Sequence, residues 1–89
     1  MFNLEKSKEF QEEYINFKNK INKINNDKVK EELYALLNAL LNEVKKIDIQ
    51  HNEVVISHRI PTATVETRNN IIKIRQKISE KIEESKHLI

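Results

Sequence analysis

The chain contains no glycine, and its only proline is Pro61. Glycine reaches positive φ without steric cost, so tight primed hairpin turns, phosphate-cradling loops and dinucleotide fingerprints lose their usual building block. Proline is the strongest breaker of a helix interior, and sixty residues pass before one occurs. Such a chain is directed toward long helices joined by few irregular segments. The absence of cysteine removes disulfides, thiolate metal sites and cysteine nucleophiles, and it suits a reducing compartment.

The length of 89 residues fits one domain, 1–89. A domain of this size buries only about 60 to 65% of the surface its unfolded chain exposes, so its core is modest. Ile, Lys and Asn together make 37 of the residues. All three use AT-rich codons, which reads as the drift of an AT-rich bacterial or phage genome. Arginine is scarce by the same drift, so each of Arg59, Arg68 and Arg75 carries more information than any one lysine.

Apolar periodicity divides the chain into three helices. Phe10, Tyr14, Phe17, Ile21 and Ile24 recur at alternating spacings of four and three, a stripe about 80° wide on the first helix, residues 2–25, in the manner of a coiled-coil seam. Asn26 or Asp27 is a suitable cap for a second helix, 27–48. That helix carries Val29, Leu33, Leu36, Leu37, Leu40, Leu41, Val44 and Ile47, an arc of roughly 160° that predicts contact with two neighbours. The third helix, 62–87, starts after Pro61 and places Ile71, Ile74, Ile78 and Ile82 inward, with Val65 and Ile72 on one flank.

Residues 49–61 break the helical period. Val54, Val55 and Ile56 are consecutive and β-branched, which favours an extended, apolar connection, either a loop across the helix ends or a strand paired with another subunit. Thirteen extended residues reach about 43 Å, so the spacing leaves the direction of the third helix open. The expected fold class is all-α, a bundle of antiparallel long helices completed by oligomerisation as a homodimer or larger assembly.

Net charge is only +2, but it is unevenly placed. Residues 58–77 hold His58, Arg59, Arg68, Lys73, Arg75 and Lys77 against Glu66 alone. Arg68 and Arg75 lie one heptad apart at the edge of the apolar face, where a planar guanidinium suits a carboxylate or a phosphate. An ion pair with Glu13 or Glu43 is the plainer expectation; an anion or nucleic-acid backbone is the alternative. Lys73, Lys77 and Lys81 read as a solvated face, and no aromatic follows Tyr34 to stack on bases. Weak, sequence-independent nucleic-acid binding through 58–77 is therefore the second functional reading.

Catalytic and metal patterns are sparse. Glu84 and His87 have an i, i+3 ligand spacing but sit at the end of the chain's last helix and away from its apolar stripe. Glu9 with Glu12, and Glu80 with Glu83, are pairs that arise readily in a glutamate-rich chain. His51 and His58 flank the connection without a carboxylate pattern around them. No apolar run nears the roughly 18 residues of a membrane span, and the acidic amino terminus is unlike a signal peptide. The reading is a cytoplasmic, non-catalytic interaction or assembly protein without a cofactor, in contact with itself and a protein partner through Val54, Val55, Ile56, His58, Arg59, Arg68 and Arg75.

Overall fold

The computed structural model describes residues 3–57 and 62–86, with 51–57 and 62–64 given as helical backbone. Three α-helices are formed among the described residues: α1, Lys8–Asn22; α2, Asp27–Ser57; and α3, Thr62–Lys86. No strand occurs among them. The all-α bundle is as the periodicity predicts.

α1 begins at residue 8 and not at residue 2, because of a tertiary contact. The Asp48 carboxylate of α2 accepts hydrogen bonds from the backbone N–H groups of Leu4 at 2.6 Å and Glu5 at 3.0 Å. Those donors are drawn sideways onto α2, and the helix starts only once Ser7 caps it. Ser7 is extended, with φ −64° and ψ 146°, and its hydroxyl oxygen accepts from the Phe10 N–H. This is the usual satisfaction of an orphan first-turn donor.

The other end of α1 shows how a helix stops without glycine. Lys23, at φ −81° and ψ −9°, stays right-handed, and its N–H bonds to the Lys20 carbonyl at 3.3 Å. Ile24 N–H reaches the Ile21 carbonyl at 3.1 Å, tightening the last turn. Asn26 then caps α2, its side-chain oxygen accepting from Lys28 and Val29 at 3.1 and 3.2 Å.

α2 corrects the expectation of an irregular stretch over 49–61. It continues as one helix through Ser57, so residues 49–57 are neither loop nor intersubunit strand. β-branched residues cost only about 0.5 kcal/mol each in a helix, and with no glycine or proline before Pro61 nothing obliges the chain to stop. The remaining connection, 58–61, lies outside the described residues. At about 1.5 Å per residue α2 is a rod of roughly 46 Å.

The helix directions follow from pairs that join them. Glu5 near α1 lies 3.9 Å from Lys45, and the Tyr34 hydroxyl donates to the Asn22 side chain, so α1 and α2 are antiparallel. Lys81 pairs with Glu32, near the opposite end of α2 from its junction with α3. α3 therefore runs back along α2, settling the direction that the sequence leaves open, and α1 and α3 run parallel.

The core draws Phe10 and Ile21 from α1, Leu33, Leu37, Leu40, Val44 and Ile47 from α2, and Ile71, Ile78 and Ile82 from α3. Leu36 and Leu41 pack half-buried beside α2's line, as a helix with two neighbours requires. α2 packs far more extensively on α3 than α1 does. The Cα extents are 51 × 23 × 15 Å and the radius of gyration is 15.0 Å, against about 12 Å for a spherical domain of this length. α1, at 15 residues, covers only part of the longer α2–α3 hairpin.

Candidate interaction surface

α3 has two faces of different character. Its inner line runs through Thr67, Ile71, Ile78 and Ile82, all buried. Val65 and Ile72, read from the sequence as the flank of that line, instead stand 53% and 59% exposed. Adjacent residues on a helix diverge by about 100°, so Ile71 and Ile72 cannot both face one core. Thr67 takes the inner position that Val65 does not. On the outer face Val65, Arg68, Ile72 and Arg75 follow one another at spacings of three, four and three, a second seam on one helix.

The two arginines of this seam have different fates. Arg75 Nε–H donates to Glu13 Oε1 at 2.8 Å, an interhelical ion pair with both side chains about one-third exposed. That is the plainer of the two expectations for Arg75, and Glu13 is one of the two acids considered. Glu43 is not used in this way. One of its carboxylate oxygens lies 3.8 Å from Lys46, and the other, like the side-chain oxygen of Gln50, is enclosed without a hydrogen-bond partner among the described residues. Arg68 is exposed and pairs with no described residue.

The Glu13–Arg75 pair also sets the height of α1 against α3. An offset of 62 residues relates the two helices, so Glu9, exposed in α1's first turn, stands level with Ile71. The seam Val65, Arg68, Ile72 thus borders an acidic edge of α1 formed by Glu9 and Glu13.

The remaining sequence candidates are not gathered here. Val54, Val55 and Ile56 fall on the helical backbone of α2, where only the backbone is described; His58 and Arg59 lie outside the described residues, as does His87. Ile49, on α2, is a further exposed apolar residue, at 62%. Lys73 and Lys77 are exposed, whereas Lys81 turns to Glu32 and holds that carboxyl below its ordinary range, chiefly by the direct hydrogen bond. Among the described residues no three His, Asp or Glu side chains converge as metal ligands would, and no helix is long and apolar enough to cross a membrane.

A second feature went unread in the sequence. Three lysines from two helix ends, Lys20, Lys23 and Lys86, surround a cavity of about 780 Å³ between the last turns of α1 and α3. Lys86 is more than sixty residues from the other two in the chain, and only the parallel arrangement of α1 and α3 brings it to them. Comparison of the chain with protein-family models, curated proteins and solved structures finds no match.

Proposed function

We propose that the chain is a non-catalytic helical assembly protein that pairs with a second copy of itself through the outer face of α3. The observation that carries this reading is the exposure of Val65 and Ile72, one heptad apart, by more than half of each residue's surface. Single exposed apolar residues are ordinary, but a line of them at helical spacing is a partner-facing seam. An α3 from the second copy, laid antiparallel with Val65 opposite Ile72, makes an isologous interface that closes at two subunits.

Charge complementarity favours the same occupant. In that register Arg68 of the partner subunit falls at the height of Asn69, about 3 Å along the axis from the level of Glu9. Each Arg68 then meets the acidic edge of the other subunit's α1, while its aliphatic stem covers the apolar seam. The nucleic-acid reading has less to stand on, since Arg75 is engaged by Glu13.

A charge exchange tests the pairing. Arg68→Glu and Glu9→Lys are each expected to weaken dimer formation by roughly tenfold, and the double variant to recover most of the loss. Dimerisation indifferent to all three substitutions would reject the proposed face.

A further inference from the structure

The cleft at the other end of the bundle has a chemistry of its own. Its floor is apolar, formed by Ile24 and Ile82, and its rim carries Lys20, Lys23, Lys86 and Ser85, with no carboxylate among the described lining residues. Its volume of about 780 Å³ falls within the roughly 300–1,000 Å³ typical of small-molecule sites. We propose that this cleft binds a small amphiphilic anion, with an apolar body on the isoleucines and a carboxylate, sulfonate or phosphate head between Lys20 and Lys23.

Lysines at helix C-termini have an ordinary role, the capping of free carbonyls and the offsetting of the helix dipole. Here several of those carbonyls are already taken. Lys20 and Ile21 carbonyls accept from the backbone N–H groups of Lys23 and Ile24, and the Ile82 carbonyl accepts from the Ser85 hydroxyl at 2.7 Å. Lys86 is shared with Glu83 at 3.0 Å, but Lys20 and Lys23 are exposed and pair with no described residue. Two helix C-termini contribute about half a negative charge each, and the start of α2 returns about half a positive one. Among the described residues three lysines exceed that balance even when Glu83 and Asp27, in the first turn of α2, are subtracted.

The apolar floor decides the class of anion. A fully hydrated inorganic ion gains nothing from Ile24 and Ile82, whereas a ring or short alkyl body removes apolar surface from water while the head stays at the wet, cationic rim. Because the rim is open to solvent, the charge contribution weakens as ionic strength rises.

The test is a fluorescence titration of the full chain with anilinonaphthalene sulfonate. Saturable binding is expected, weakened about tenfold or more in the Lys20→Ala, Lys23→Ala double variant. It should be unchanged in the charge-matched Lys73→Ala, Lys77→Ala variant on the exposed face of α3. Phenylnaphthylamine, the same ring system without the sulfonate, is expected to bind about tenfold more weakly than the sulfonate, and inorganic phosphate to displace the probe poorly. Far-UV circular dichroism establishes that both double variants keep their helices. Absence of saturable binding, equal binding of the neutral ring compound, or equal losses in the two double variants would overturn the proposal.

Discussion

Arg75 of α3 donates its Nε–H to the Glu13 carboxylate of α1 across 2.8 Å, and so marks the height at which two helices that are not neighbours in sequence meet. Among the described residues α1 and α3 share little other contact, which makes this pair the principal polar link between them. Both side chains remain about one-third exposed, so solvent screens the attraction and its worth stays near that of a surface pair. A double-mutant cycle of Glu13→Gln and Arg75→Met, read by urea unfolding, is expected to give a coupling of about 0.5–1 kcal/mol.

Asp48 is expected to matter more than its position on the rim of α2 suggests. It accepts two backbone hydrogen bonds, from Leu4 and Glu5, and bonds to a charged acceptor are each worth about 1.5–3 kcal/mol, less where water can replace them. Asp48→Ala should cost about 1–3 kcal/mol in the unfolding free energy. Amide exchange at Leu4 and Glu5 should speed up while that of the core of α2 changes no more than global stability requires.

Continuity of α2 through Ser57 is testable at Asn52, which lies in the stretch whose β-branched composition favours an extended segment. In a helix interior Ala is more stable than Gly by about 1 kcal/mol. Asn52→Ala is expected to raise stability and Asn52→Gly to lower it, with that difference between them. Equal stabilities would indicate a loop at this position.

Lys81, chiefly through its direct hydrogen bond and then through its charge, holds the Glu32 carboxyl below the ordinary glutamate range. A carboxyl whose folded pKa lies below its unfolded one contributes stability that is present above the unfolded value and lost as pH falls through the folded value. The contribution therefore belongs to neutral pH and is lost on acidification through the lowered folded value. Carbon-detected NMR titration should show Glu32 titrating at lower pH in the native chain than in a Lys81→Ala variant.

Much of the fold was legible in the residues themselves. The line Leu33, Leu37, Leu40, Val44, Ile47 keeps a strict alternation of four and three, and every member is buried. Asn26 could be named as a cap because short polar side chains compete for free backbone donors. What was not legible depends on tertiary contacts. Asp48 drawing Leu4 and Glu5 away from α1 cannot be seen in a helical wheel, since the partners are more than forty residues apart.

Val54, Val55 and Ile56 misled for the converse reason. Their local preference for extended backbone is a few tenths of a kcal/mol per residue, and a helix already propagating toward them outweighs it. The candidate surface was half legible. Arg68 and Arg75 stood out by their heptad spacing and Ile71 read correctly as inward, but that the flanking Val65 and Ile72 stand exposed is decided by where α1 and α2 lie. The lysine-rimmed cleft was invisible because its members come from the ends of two helices whose relative direction the sequence leaves open.

Self-association through the outer face of α3 is the central claim, and sedimentation equilibrium at micromolar concentration tests it most directly. The account predicts a dimer mass of about twice 10.6 kDa for the native chain, shifting to monomer in a Val65→Ser, Ile72→Ser variant that keeps its helical circular dichroism. A native chain that stays monomeric across this range, or a dimer untouched by the two substitutions, would contradict it.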